Sequence, residues 1–145
     1  MSVLELAEQL ARSPRILIVE DDPSIVSVLT QVLAHYECEI DKASNVNDAK
    51  GLTDSRKYDL IFVDLTLPDG SGATVVKNIK TTMPTVPVLV MSDSRDWTLI
   101  EETLLLGIVT VMMKPFYLTE LHNALKMFKV RVFPPTVSHP FTQAA

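Results

Sequence analysis

The sequence predicts an α/β fold, a doubly wound five-stranded parallel sheet with five helices, preceded by one extra N-terminal helix. Three observations carry this. Strand-like apolar runs alternate with segments of helical periodicity through the middle of the chain, the pattern of successive βαβ units. Four of the five runs are almost continuously apolar, as strands covered on both faces must be. A chain of 145 residues, 47% hydrophobic and 21% charged, has the size and composition of one ordinary domain with its own core.

The elements follow in order. Residues 1–13 make the extra helix: Ser2 and Glu5 have capping-box spacing, and Val3, Leu6, Ala7 and Leu10 lie along one face. Packing on the domain's own surface is the favoured reading of that face, with a dimer or partner helix as the alternative. Strands are expected at 15–20 (RILIVE), 38–43 (CEIDKA), 59–64 (DLIFVD), 86–91 (VPVLVM) and 108–113 (IVTVMM). The second is the most polar and therefore belongs at an edge. Helical stripes run through Ile25, Leu29, Val32 and Tyr36, then Val75, Val76 and Ile79, then Ile100 and Leu104, then Leu118, Leu121, Leu125 and Phe128. Residues 45–56 give the weakest helix, because Gly51 inside it costs ~1 kcal/mol relative to Ala. The sheet domain spans 14–130, and 131–145, with Pro134, Pro135 and Pro140, reads as a tail or linker.

Composition removes several functions. A net charge of −5 argues against direct contact with nucleic acid. Cys38 is the only cysteine, so no internal disulfide can form, and a reducing, cytoplasmic location is the natural expectation. Glu5 and Glu8 interrupt any signal-like start. The longest apolar stretch, at 104–113, is broken by Gly107 and Thr110 and is too short for a membrane span of ~20 residues. His35, His122 and His139 have no acid partner in the pattern and receive no role.

In open parallel sheets, ligands bind beyond the carboxyl ends of the strands. Glu20 and Asp21 follow the first strand, Asp64 ends the third, Ser92 follows the fourth and Lys114 follows the fifth. Carboxylates brought together repel unless a cation neutralises them, and a few hard oxygen ligands suit Mg²⁺. With a lysine and a hydroxyl alongside, the set suits phosphoryl chemistry, Asp64 being the nucleophile. No glycine-rich phosphate loop is present, so the phosphoryl donor must come from another molecule. Asp22, followed by Pro23, has the chemistry of a helix N-cap rather than of a metal ligand.

These residues resemble the receiver (CheY-like) domain of two-component response regulators, over about 14–130. ILIVEDDP carries the acidic pair at Glu20 and Asp21, and VDLTLPDGSG carries the phosphoacceptor at Asp64, with Pro68 and Gly72 in register. The resemblance implies the strand order 2-1-3-4-5 and Mg²⁺ held by Glu20, Asp21, Asp64 and the backbone carbonyl of Thr66. It further implies Ser92 and Lys114 as the phosphoryl-binding and switch residues and a cis bond to Pro115. The partner is then a sensor histidine kinase or phosphotransfer protein, and the only chemistry is Mg²⁺-dependent self-phosphorylation and self-dephosphorylation. An output domain C-terminal to this segment is compatible with the tail, and a homodimer could use the fourth and fifth helices of the sheet domain or the extra helix.

Two residues depart from the pattern. Asp93 stands where a small residue is usual, and Val111 where the aromatic switch residue is usual. They motivate the alternative of a pseudo-receiver, an interaction module not physiologically phosphorylated. A haloacid-dehalogenase-like phosphatase would need a second Asp two residues after Asp64, and Thr66 is there instead. Trp97, Leu105 and Leu106 would widen the apolar face for partners if exposed.

Overall fold

The structure, a computed structural model, describes residues 1–132 apart from Ser94, Asp96 and Val109, and gives only the backbone of residues 9–11 and 129–132. The 131–145 tail, His139 included, lies outside these described residues beyond Val132, and so does the side chain of Leu10. The elements are α1 (Val3–Ala11), β1 (Arg15–Val19), α2 (Pro23–Leu33), β2 (Glu39–Ala43), α3 (Val46–Ser55), β3 (Leu60–Asp64), β4 (Thr66–Leu67), β5 (Gly70–Ser71), α4 (Gly72–Thr82), β6 (Val88–Asp93), α5 (Trp97–Leu105), β7 (Val111–Lys114) and α6 (Leu118–Val132). The main sheet is parallel in the order β2-β1-β3-β6-β7, the predicted topology with the polar strand at an edge.

Alternation along the strands builds two cores. Leu17, Val19, Ile61, Val63, Val88 and Val90 pack with Ala49 of α3, Val75, Val76 and Ile79 of α4 and Ile100 of α5. Ile16, Ile18, Leu60, Phe62, Leu89 and Met91 face the other way, onto Leu29, Val32 and Leu33 of α2 and Leu121 and Leu125 of α6. All of these strand side chains but Val88 are wholly inaccessible to solvent. Each fully buried Leu, Ile or Val contributes about 1.5–3 kcal/mol, so these two layers dominate the stability of the fold.

Three expectations need correction. Among the described side chains the extra helix is not buried on the domain: Val3, Leu4 and Leu6 are 85%, 68% and 47% exposed. Both sheet faces are already covered by α2–α6, which leaves α1 no open sheet face to bury against. Its N-terminus is capped by Ser2, which accepts from the Glu5 amide at 3.1 Å. The chain after it is tied down by Arg12 and the Arg15 amide, both donating to Asp59.

The last two strands also run later than periodicity suggests. β6 begins after Pro87, which has no N–H to donate, and extends through Ser92 to Asp93. β7 begins only at Val111, after a turn in which Gly107 adopts φ +90°, a left-handed conformation that glycine takes without strain. Leu104 and Leu118, placed on buried stripes by spacing, are half exposed, whereas Ile100 and Thr103 of α5 and Leu121 and Leu125 of α6 are buried.

Candidate functional site

Parallel register brings the polar residues to one edge. β1 and β3 pair so that Val19 lies opposite Val63, which puts Glu20 beside Asp64. β3 and β6 pair Asp64 with Met91, and β6 and β7 pair Asp93 with Lys114. Glu20, Asp64 and Ser92 are almost completely buried, while Asp21 is exposed at the rim. Carboxylate oxygens of Glu20, Asp21 and Asp64 all lie within 4.8 Å of one another.

Lys114 joins the two buried acids. Its ammonium donates to Glu20 Oε1 at 2.5 Å and to Asp64 Oδ2 at 3.0 Å. The other Asp64 oxygen accepts the Thr66 amide at 3.1 Å. Burial and the neighbouring Asp64 carboxyl push Glu20 up to about 8, against the pull of Lys114. Burial alone would lower Lys114, but its bonds to Glu20 and Asp64 outweigh this and its pKa is raised. One ammonium is therefore shared by two acids. Glu20 Oε2 is left buried without a hydrogen-bond partner.

An orphaned buried oxygen beside two further carboxylates is the donor set that a hard divalent cation completes. The residues thus fit Mg²⁺: Glu20, Asp21 and Asp64 would hold it. Asp22 lies outside the set. Its side chain accepts the Ser24 amide at 2.9 Å as the N-cap of α2, with Pro23 in the first turn.

Gly72 fixes the wall behind Asp64. The first turn of α4 passes so close to β3 that a Cβ at Gly72 would run into the Asp64 carbonyl oxygen and lie 2.8 Å from its carbonyl carbon and 2.9 Å from Leu65 Cα. The Gly72 amide donates to the Leu65 carbonyl at 2.9 Å in the same approach.

Ser92 donates its hydroxyl to the Asp93 carbonyl at 3.0 Å. The Lys114–Pro115 bond is cis. Val111 is half-buried against the α3–α4–α5 side core. Asp93 is turned to Arg95, which donates from Nη2 at 2.7 Å, from Nε at 3.2 Å and from its amide at 3.1 Å. Those bonds hold the Asp93 carboxyl below the ordinary carboxylate range.

Two features escape sequence reasoning. A two-residue antiparallel ribbon, β4 with β5, follows Asp64, too short to show periodicity. At its tip Asp69 accepts the Val46 and Asn47 amides at 2.7 and 3.0 Å, clamping the loop after Asp64 to the start of α3, where Asn45 caps the Asp48 amide. A second acceptor on one helix N-terminus has no local spacing to reveal it. These amides hold Asp69 below the ordinary carboxylate range, so its stabilisation is present at neutral pH and is lost as pH falls through that lowered value. Replacing Asp69 by Asn should speed hydrogen exchange at Val46 and Asn47 and flatten the acid limb of the stability profile; unchanged exchange at both amides contradicts the clamp.

Comparison with known proteins settles the family. Residues 16–126 match the model of the response regulator receiver domain, which is most of the chain. The protein belongs to the response regulator receiver family. It is 27% identical over 114 residues to sporulation initiation phosphotransferase F of Bacillus subtilis, covering 79% of this chain and 92% of that protein. It is 30% identical over 107 residues to transcription factor SKN7 of Chaetomium thermophilum, covering 72% of this chain. The chain spans only 14% of that transcription factor's length. Among solved structures, the non-phosphorylated HemR receiver domain of Leptospira biflexa aligns with a TM-score of 0.72 at 29% identity, over 88% of this chain and 99% of that one.

Within this receiver domain, the remaining candidates separate cleanly. His35 and His122 are exposed. Trp97 and Leu105 are 64% and 87% exposed, whereas Leu106 packs against the core, so only the first two widen an apolar surface. Among the described residues no helix is long and apolar enough to cross a membrane.

Proposed function

We propose that this receiver domain takes a phosphoryl group from a phosphohistidine onto Asp64, with Mg²⁺ bound, and so switches its contacts with partners. The observation that carries the reading is the convergence on Asp64 of Lys114 at 3.0 Å and of the Glu20 and Asp21 carboxylates. An Asp64 carboxylate oxygen attacks phosphorus, a new O–P bond forms, the N–P bond of the donor breaks, and the released imidazole nitrogen takes up a proton. Mg²⁺, when bound, supplies charge neutralisation on the transferring oxygens. Lys114 does the same from the protein side. Thr66 fixes the Asp64 carboxylate plane through its amide.

The acyl phosphate adds about 1.5–2 negative charges by analogy with other phosphorylated side chains. Lys114 follows the new charge, and Ser92 leaves the Asp93 carbonyl to donate to it, which pulls on β6 and β7 together. The change is read at the adjoining exposed apolar residues Trp97, Leu104, Leu105, Tyr117 and Leu118, on the α5 and α6 side of the domain. The upstream partner is a sensor histidine kinase or phosphotransfer protein. An output domain beyond residue 145, a cytoplasmic setting and a homodimer through α5 and α6 or through α1 belong to the same reading.

Incubation with acetyl phosphate and Mg²⁺ tests it. Wild-type protein should gain one phosphoryl group by intact mass, and Asp64→Asn or addition of a chelator should abolish the gain. A wild type that stays unmodified leaves an interaction module with the receiver fold alone.

A further inference from the structure

Asp93 places a fourth carboxylate at the strand edge that carries Lys114, beside the proposed phosphoryl site. Its backbone stands opposite Lys114 across the β6–β7 pair, and the two charges act on each other. A free carboxylate there has two harmful options: to compete with Glu20 and Asp64 for Lys114, or to repel the incoming phosphoryl oxygens. It takes neither, since both of its oxygens are engaged by Arg95. The guanidinium reaches back only two residues, and its planar fork meets the carboxylate through two N–H groups while the amide adds a third bond. Lys114 is thereby left to Glu20 and Asp64.

We propose that Arg95 is a positioning residue for phosphoryl binding, acting through Asp93: it cancels one negative charge at that strand edge and keeps Lys114 directed at Asp64. The proposal rests on the phosphoacceptor reading of Asp64. Arg95 side-chain exposure is 88% and that of Asp93 is 44%, so the effect is electrostatic and partly screened rather than a matter of core packing.

The test uses beryllofluoride, acetyl phosphate and Mg²⁺ as separate probes on the whole chain. Arg95→Ala should weaken beryllofluoride binding by about three- to ten-fold and raise the half-saturating acetyl phosphate concentration with little change in maximal rate, since an unpaired carboxylate opposes anion entry. The same substitution should tighten Mg²⁺ binding by about two- to five-fold, because the unpaired carboxylate attracts a cation. Both differences should shrink at high salt. Arg95→Lys should restore most of the wild-type behaviour, and Asp93→Ala with Arg95→Ala should bind beryllofluoride at least as well as the wild type.

A double variant as weak as Arg95→Ala, or an Arg95→Ala protein equal to the wild type with both the anion and Mg²⁺, overturns the proposal. If the wild type takes neither beryllofluoride nor acetyl phosphate, the phosphoacceptor reading falls. The Mg²⁺ titration then decides the pair by itself: tighter binding by Arg95→Ala upholds the electrostatic role, and unchanged binding ends it.

Discussion

Gly72→Ala should lower stability by ~3 kcal/mol or more, the upper end of overpacking effects, and thermal unfolding should come about 10 °C earlier. The reason is the identity of the obstructing atoms. An added methyl meets the carbonyl group of Asp64 and the Cα of Leu65, main-chain atoms that cannot rotate aside as a side chain would. Asp64 is held from the other side by β6 through the Leu65 amide, which donates to the Met91 carbonyl at 3.0 Å. Relief therefore requires α4 to lift from the sheet, and Val75, Val76 and Ile79 lift with it. Since the displaced backbone carries Asp64, the proposed phosphoacceptor, phosphorylation should fall in whatever fraction remains folded. A variant as stable as the wild type would show that the first turn of α4 does not press on β3.

Asp21→Asn should weaken Mg²⁺ binding by about ten-fold or more, an effect of the size seen when a ligand's contact to a metal is disturbed, whereas Asp22→Asn should leave it within about two-fold. The neighbouring acids differ in what they face. Asp21 offers an oxygen to the same small volume as Glu20 and Asp64; Asp22 spends its oxygen on the Ser24 amide, a capping role that the side-chain oxygen of Asn also fills. Mg²⁺ affinity should also rise with pH up to about 8, because the cation must displace the proton that burial favours on Glu20. The sign for metal-free stability is the reverse. A carboxyl whose pKa is raised on folding stabilises the fold below its unfolded value, and that advantage is lost as pH climbs to about 8. Isothermal titration of the two variants across this range separates the roles, and equal losses from both substitutions would refute the division.

Much of the architecture was legible because it depends on periodicity and on strand ends. Doubly covered strands must be apolar throughout, which marks β1, β3 and β6, and polar CEIDKA could only be an edge. Glu20, Asp21, Asp64 and Lys114 stood out because charged residues at the ends of buried strands have few bland explanations. What the sequence hid depends on partners far along the chain or on occupied space. The exposure of α1 follows from α2–α6 having filled both sheet faces, which no property of residues 1–13 encodes. Asp69 reaches α3 across 23 and 22 residues. The burden on Gly72 is set by the path of a different strand. Asp93 was legible as a departure, but its pairing with Arg95 changes its meaning from an added charge in the pocket to one already neutralised.

The central claim is that Asp64 receives the phosphoryl group, and reductive trapping tests it most directly. Protein treated with acetyl phosphate and Mg²⁺ is reduced with borohydride, which converts an aspartyl phosphate to homoserine, and the peptides are sequenced by mass. The account predicts homoserine at residue 64 alone, dependent on Mg²⁺. Homoserine at residue 21 or 93, or at no residue in protein that has bound Mg²⁺, would contradict it.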